Sequence, residues 1–353
     1  MPFELIISAE GLNNCREEWR SLETRVACHV FQSYDFVSSW YTTAGRAAGA
    51  TPSIVVYREH GEVRAIFPAC MVSKSILRLV TWMGGIQIVD YGDVLFDQSS
   101  QLGVEDFLKQ ALQLIRNSVN HHICYFPYVR SDATIYPYLS KNFLVNDSDV
   151  APCAYLQGGF EDFLDSLKRF RKKLKSDTLR QEKRLAALGE LQFLILDQSD
   201  DRMDTVMTAF LKQKRDRYLA SGVAGVLFVP GYEEFYRRQP HDNSSVHVSA
   251  LLLDDQVIAA HVGYVYGSTF YYLMPSYAPE FEKYSPGRVL MLRLVEECFR
   301  LGLTKFDLGR GNEGYKYEWT DRETALRTFV SPGLKGALFN QLYRLRAWYR
   351  RSG

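Results

Sequence analysis

The sequence lacks the features that announce a chemistry on their own. Its six cysteines (Cys15, Cys28, Cys70, Cys124, Cys153 and Cys298) are scattered, with no CxxC pair and no Cys/His metal spacing. That excludes a zinc ribbon and a disulfide scaffold, and predicts buried free thiols in a reducing compartment. The seven histidines have no ligand spacing either. His121 and His122 follow the helix-like EDFLKQALQLIRNSVN, where they complement the negative end of its dipole. No metal site is expected. No apolar run approaches the roughly 20 residues of a membrane span. The opening MPFELIISAEGLNN has no basic n-region, so no signal peptide is expected and the chain is read as cytoplasmic. Charge of one sign is also missing: 42 Lys and Arg face 41 Asp and Glu, a formal +1. A generally nucleic-acid-binding protein would be basic overall. No Ser-His-Asp order or reactive cysteine setting is present.

What remains is ordinary globular material. At 353 residues, two domains of about 150 residues are expected. Hydrophobic residues make up 46%, enough for real cores, and 22 tyrosines can line clefts with amphipathic rings. Two halves show the same order of elements. In the first, SIVVYR and VRAIFPACMV flank the turn EHGE, more strand follows, then the amphipathic helix EDFLKQALQLIRNSV and the strand HHICYFPYV. In the second, VHVSALLL and VIAAHVGYVY flank DDQ, then come TFYYLMPSY, the helix RVLMLRLVEECFRL and the strand TKFDLG. Between the halves, FEDFLDSLKRFRKKLKSDTLRQEKRLAALGE predicts one or two long helices ending at Gly189, and DRMDTVMTAFLKQKRDRYLASG another stopped by Gly222. Tyr34 and Trp40 are read as core.

The stretch after Tyr284 concentrates the chemistry. Leu290, Met291, Leu294, Val295, Cys298 and Phe299 recur at helical spacing, with Arg293, Glu296, Glu297 and Arg300 on the other face. Glu296 and Arg300 are spaced to pair. Ser285 is expected to cap this helix, with Pro286 at its first position and Gly302 ending it. Gly287 would let a ligand approach the unpaired amides at the positive end of the dipole, a phosphate site in physical terms, with Arg288 adding a charge-assisted contact. In KFDLG, Asp307 points opposite Phe306 and either fixes the next loop or serves chemistry. GRGNEGYK follows, placing Arg310, Glu313 and Lys316 at the C-terminal edge of a strand, where open α/β sheets bind ligands.

These residues carry a resemblance. The SPGRVL helix start, DLGRGNEGYKYEW, and VSALLLDDQVIAAHVGYVYGSTFYYLMPSYAP resemble the GNAT acyltransferase superfamily, and more closely its CelD-type branch, linked to cellulose or exopolysaccharide production, and the related FemABX aminoacyltransferases. Weaker echoes are VFQSYDFVSSWY, DYGDVLF and LKRFRKKLKSDTLRQEKRLAALGE. The resemblance implies an α/β (α+β) fold with tandem GNAT-like domains, each a mixed, mostly antiparallel sheet flanked by helices. The domains are expected at 1–155 and 156–353. The second would hold the donor site, the basic segment 160–189 and the C-terminal helix, and the cleft would lie between the two. The implied activity is N-acyl transfer, acetyl by preference, from acetyl-CoA or another acyl-CoA used as a co-substrate rather than a bound cofactor. The acceptor would be an amine of a polysaccharide or envelope precursor or of a small molecule. The usual GNAT loop is richer in Gly and basic residues than SPGR, and FemABX proteins carry a Lys resembling Lys316 near the donor ester, so aminoacyl-tRNA is the alternative donor. A catalytically inactive partner of exopolysaccharide synthesis is the alternative from outside enzymology.

Direct attack in a ternary complex is expected, since no covalent nucleophile is apparent. The resemblance implies donor contacts from Leu273, Met274, Ser285, Pro286, Gly287, Arg288 and Arg310, with the amides near Leu273–Met274 as the oxyanion site. Asp307 or Glu313 is the candidate base, Lys316 the stabiliser of developing charge, and Tyr277 or Tyr315 the proton donor to the leaving thiolate. Residues 168–184 hold nine Lys or Arg against Asp177 and Glu182. Arg171, Lys172 and Lys175 are read as facing the substrate, and Asp90 and Tyr91 as the acceptor side. The tail, with Arg344, Arg346, Arg350 and Arg351 around Trp348 and Tyr349, is read as a docking helix that could also touch an anionic membrane surface, and a membrane-associated polysaccharide synthase is the partner that the resemblance implies for the chain.

Overall fold

The computed structural model describes residues 2–222 and 224–352, with side chains described as far as Tyr343; the basic side chains expected at the C-terminal tail lie outside the described residues. The chain divides into two compact units, Met1–Val150 with Thr324–Gly353, and Ala151–Glu323.

The first unit holds two hairpins. Strands β1 (Ile54–Glu59) and β2 (Glu62–Phe67) turn at His60 and Gly61, both at positive φ, as the two-residue turn EHGE requires. Strands β3 (Ala69–Lys74) and β4 (Leu77–Trp82) form the second hairpin. From β4 the chain crosses over through helix α1 (Val104–Ser118) to strand β5 (Ile123–Arg130), which runs parallel to β4. Helix α1 buries Phe107, Leu108, Ala111, Leu112 and Ile115, one stripe at helical spacing, and leaves its polar face to solvent. Helix α2 (Tyr136–Asn142) follows. Trp19, Trp40, Trp82, Tyr34, Phe36 and Phe126 are fully enclosed, so Tyr34 and Trp40 are core as read. Trp82 donates Nε1–H to the Pro127 carbonyl at 2.9 Å, which satisfies its one polar atom.

The second unit is one sheet with helices on both sides. Its strands are β6 (Leu144–Tyr155, through Cys153–Tyr155), β7 (Leu191–Leu196), β8 (Val246–Leu253), β9 (Gln256–Tyr266), β10 (Thr269–Tyr277) and β11 (Lys305–Asp307), in the order β7-β8-β9-β10-β11-β6. The basic segment gives two helices, α3 (Phe160–Ser166) and α4 (Leu174–Ala186), separated by a 3-10 turn and a loop. Helix α5 (Met203–Ser221) ends on Gly222 in the left-handed region. Helix α6 (Tyr232–Asp242) precedes β8. Helix α7 (Pro286–Arg300) joins β10 to β11, and these two strands are parallel. Each unit thus contains a hairpin followed by a strand-helix-strand crossover, the order expected from sequence, and the α+β class holds.

Helix α7 buries Val289, Leu290, Met291, Leu294, Val295 and Cys298 against Phe270, Tyr272, Phe306 and Leu308 of the sheet. Each fully buried large side chain contributes about 1.5–3 kcal/mol. The helix stops in a Schellman turn: Leu303 N–H bonds Cys298 O at 2.9 Å and Gly302 N–H bonds Phe299 O at 3.1 Å, with Gly302 at φ +68°. Its charges pair one residue away from the expected register, Arg300 with Glu297 and Glu296 with Arg293.

The domain boundary differs from the sequence reading. The units divide at Val150/Ala151, and Thr324–Gly353 groups with the first unit rather than the second. The strand Glu323–Val330 pairs antiparallel with β5, from Leu326↔Arg130 to Val330↔Tyr125, and Phe339 of the C-terminal helix (Leu334–Ser352) packs edge-on to Tyr125 at 5.6 Å. A strand's partner is set by tertiary packing, so its allegiance to the first unit leaves no local mark.

Candidate functional site

Strands β10 and β11 are registered over only three pairs, Thr269↔Lys305 to Tyr271↔Asp307. Beyond them β10 bulges. Tyr272 and Leu273 together face the single residue Gly263 of β9, between the pairs Tyr264↔Tyr271 and Val262↔Met274. Only glycine fits there, because a Cβ on Gly263 would lie 2.2 Å from the Tyr271 carbonyl. A bulge bends its strand and interrupts pairing, which frees backbone at that point. Leu273 and Met274, the expected oxyanion residues, sit half-buried at and beside this bulge.

A cavity of about 330 Å³ lies beside the bulge. Strand β10 supplies Tyr272, Pro275 and Tyr277. Helix α7 supplies Ser285, Pro286, Gly287, Arg288 and Met291 from its first turns. Tyr315, Glu318 and Trp319 come from beyond β11, Glu282 from the turn before α7, and Arg217 from α5. Behind Tyr272, His261 stacks in parallel at 4.6 Å. Burial holds the His261 and His247 imidazoles neutral, that of His247 down at about 4. None of their ring nitrogens has a partner among the described residues.

The helix start differs from the expectation in detail. Ser285 occupies the cap position but with φ 51°, in the left-handed region, and its side chain makes no capping bond. Its carbonyl instead accepts from Arg288 N–H at 3.0 Å and Val289 N–H at 3.3 Å, while its own N–H donates to Glu282 O at 2.9 Å. Pro286 has no N–H. One amide of the first turn is left over, that of Gly287, which has no partner among the described residues. A Cβ on Gly287 would meet only Tyr277 Cδ1, at 3.7 Å, so the glycine keeps the backbone open rather than relieving a clash.

Arg288 is already engaged. Its guanidinium donates to both Glu318 carboxylate oxygens, at 3.0 and 3.3 Å. Arg171 donates to the same carboxylate and reaches Asp177 at 3.5 Å. Burial lowers the Arg288 pKa, with Arg171 adding to the effect and Glu318 opposing it. The charged residues lining the cavity are Arg217 and Arg288 against Glu282 and Glu318, so the lining is neutral overall.

The structure gives Asp307, Glu313 and Lys316 partners within the loop after β11. Asp307 is buried and accepts the Gly309 N–H at 2.9 Å. Lys316 is buried as well. Its ammonium donates to the Arg310 carbonyl at 2.6 Å and the Glu313 carboxylate at 2.8 Å, with the Gly309 and Gly311 carbonyls at 3.4 Å. The two residues hold the loop from either end, its bend made by Gly309 and Gly311 at positive φ. Burial works to raise the Glu313 pKa, but the Lys316 hydrogen bond and charge outweigh it and hold the carboxyl below its usual range. Asp307, Glu313, Lys316 and Arg310 are not among the residues lining the cavity; Tyr277 and Tyr315 are. Burial, reinforced by Glu282 and Glu313 respectively, pushes both phenols up, and Tyr277 donates to Glu282 at 3.2 Å.

The substrate-side expectations separate. Tyr91 is fully buried in the first unit, with Phe31 edge-on at 5.5 Å and the Arg130 guanidinium over its ring at 4.9 Å, so it is core. Asp90 precedes it, half-buried in the same unit. Lys172 is exposed and Lys175 pairs with Glu161, while Arg171 reaches the cavity wall through Glu318. Sequence reasoning missed Arg217, Tyr272, Glu282, Glu318 and Trp319. Tyr272 had a signal, the alternation that places it on the face of Phe270. Arg217 had none.

Residues 169–317, which include most of the cavity lining, match the family model described as "Acetyltransferase (GNAT) domain". No curated protein matches the sequence. Among solved structures, the chain is similar to FemX, with a TM-score of 0.67 at 11% identity, covering 93% of this chain and 98% of that one. It is also similar to the C-terminal domain of a putative lysylphosphatidylglycerol synthetase from Agrobacterium fabrum (0.54, 11%, 93% and 95%). A third is a tandem GNAT protein from the clavulanic acid biosynthesis pathway (0.50, 10%, 94% and 100%). At these identities the likeness is one of fold: tandem GNAT-like.

Proposed function

We propose that the second unit, whose residues 169–317 match a GNAT acetyltransferase family model, transfers an acyl group from an activated carbonyl donor to an amine, by direct attack and without an acyl-enzyme. The observation that carries this reading is the conjunction at one cavity of the β10 bulge opposite Gly263, the early parting of β10 from β11, and the α7 start with its free Gly287 amide. The donor carbonyl lies against the bulge, where the backbone amides at Leu273 and Met274 take the developing oxyanion. The amine loses its proton to Glu282, the cavity carboxylate not held between arginines. Tyr315 or Tyr277, whose raised pKa values keep the phenols protonated at neutral pH, returns a proton to the leaving group. Holding both reactants in one cavity lowers the barrier by several kcal/mol.

The donor we propose is an acyl-CoA, acetyl-CoA first, with phosphate at the Gly287 amide. The acceptor is an amine of a polysaccharide or envelope precursor, met in the cytoplasm, with a membrane-associated synthase as the partner class. A second reading, an aminoacyl-tRNA donor, is favoured by one observation: the helix start offers a single amide and an arginine already neutralised by Glu318, little for a pyrophosphate to hold.

Thermal unfolding with coenzyme A, acetyl-CoA and longer acyl-CoAs tests the proposal. A ligand at about 100 times its Kd adds roughly 2.7 kcal/mol of stability. Gly287→Glu, which the open space at Gly287 accommodates, should abolish that gain without lowering the ligand-free Tm. No stabilisation by any acyl-CoA, with stabilisation by charged tRNA, transfers the proposal to the second donor. No response to either removes the enzymatic reading in favour of a binding module.

A further inference from the structure

We propose that the first unit carries a separate site for a phosphorylated small molecule, in the cleft between helix α1, helix α2 and the Ser331–Gly333 turn, with the phosphate held by Lys109, Arg116 and His122. The cleft encloses about 810 Å³, within the range of small-molecule sites, and shares no lining residue with the α7 cavity. No Asp or Glu lines it, whereas Lys109, Arg116, His121 and His122 do. By contrast, the arginines of α7 are matched: Arg288 by Glu318, Arg293 by Glu182 and Glu296, and Arg300 by Glu297. Lys109 and Arg116 make no ion pair among the described residues. A concave surface lined by unmatched charge of one sign concentrates counter-ions of the other.

The donors are arranged for one ligand. Lys109 and Arg116 are seven residues apart on α1, two turns and about 10.5 Å along one face. Gln113 lies between them on that face. His122 accepts the Arg78 N–H on Nδ1 at 3.0 Å, so its neutral ring carries the remaining proton on Nε2, as a donor. His121 is occupied at both nitrogens, by the Val119 carbonyl at 2.7 Å and Cys124 Sγ at 3.4 Å, and serves as wall. Tyr138 and Phe143 offer aromatic surface for the body of the ligand. A long polyanion is disfavoured, because Glu105 and Asp106 stand at the start of the same helix.

Isothermal titration of the full chain with inorganic pyrophosphate, glucose 6-phosphate and uncharged glucose tests the site. Both anions should bind and glucose should not. The exposed pair Lys109→Gln/Arg116→Gln should weaken glucose 6-phosphate binding by about tenfold or more, with an unchanged ligand-free Tm, while Gly287→Glu should leave that binding intact. Equal glucose 6-phosphate binding by the Lys109/Arg116 variant, loss of it in Gly287→Glu, or no heat from either anion would each overturn the proposal.

Discussion

Replacing Lys316 by methionine removes an ammonium while keeping the volume of the side chain. The structure sets what is lost. The contacts to the Gly309 and Gly311 carbonyls, both 3.4 Å, are long and count for little. The Glu313 pair is 2.8 Å, but the carboxylate is 58% exposed, which limits it to less than about 1 kcal/mol. The 2.6 Å bond to the Arg310 carbonyl is buried and charge-assisted, about 1.5–3 kcal/mol. The methionine recovers some of this, since no ammonium need be desolvated. A net loss of about 2–3 kcal/mol is expected, and for a unit of this size a Tm lower by about 4–12 °C. Calorimetry on Lys316→Met should record that drop, and limited proteolysis should cut the loop 308–315 faster than in the parent. Acyl transfer should fall only in step with the folded fraction. An unchanged Tm with turnover abolished would refute the clamp and return Lys316 to the chemistry.

Two further outcomes follow from buried charge. Burial brings the Lys214 amine from its ordinary 10.5 down to about 8, although it donates to the Pro275 carbonyl at 3.2 Å. The folded protein therefore sheds this proton before the unfolded chain does; a cost of about 3 kcal/mol is full below pH 8 and fades as pH rises to 10.5. Lys214→Met should raise stability in urea at pH 7 by about 2 kcal/mol, with the advantage shrinking towards pH 10; a constant difference across that range would exclude the titration as its source. Glu318→Gln should release Arg288 and Arg171, tighten coenzyme A binding several-fold and steepen its salt dependence; weaker binding would mean that Glu318 positions the donor itself.

Much of the second unit was legible. The hairpin of β8 and β9, strand β10, and the apolar stripe and glycine stop of α7 follow from periodicity and turn chemistry, which act over a few residues. The Ser-Pro-Gly start was legible as a helix start but not in its hydrogen bonding, because the left-handed Ser285 reflects the 3-10 turn before it. The enclosure of Lys316 was not legible, for a physical reason. After three glycines a lysine reads as ligand-facing, yet a glycine-rich bend also turns several carbonyls inward, and a buried ammonium is what satisfies them. Arg288 read as free because its partner, Glu318, lies 30 residues away. The cavity is assembled from five segments, and only two of these, β10 and the α7 start, carried a local signature.

The return of Thr324–Gly353 to the first unit has a consequence for synthesis. The second unit is an insertion whose ends meet, with Cys153 N–H bonded to the Arg322 carbonyl at 3.0 Å. It holds all its own strands once residue 323 has left the ribosome. The first unit, although made earlier, then still lacks a strand, since β5 waits for Leu326–Val330 and the Cys124 N–H for the Ser331 hydroxyl, 207 residues later. Domains usually mature in the order they are made. Here the order is reversed, with the later-made unit closing first. A stop codon after residue 323 should yield a chain whose second unit is protected from protease and whose first unit is not.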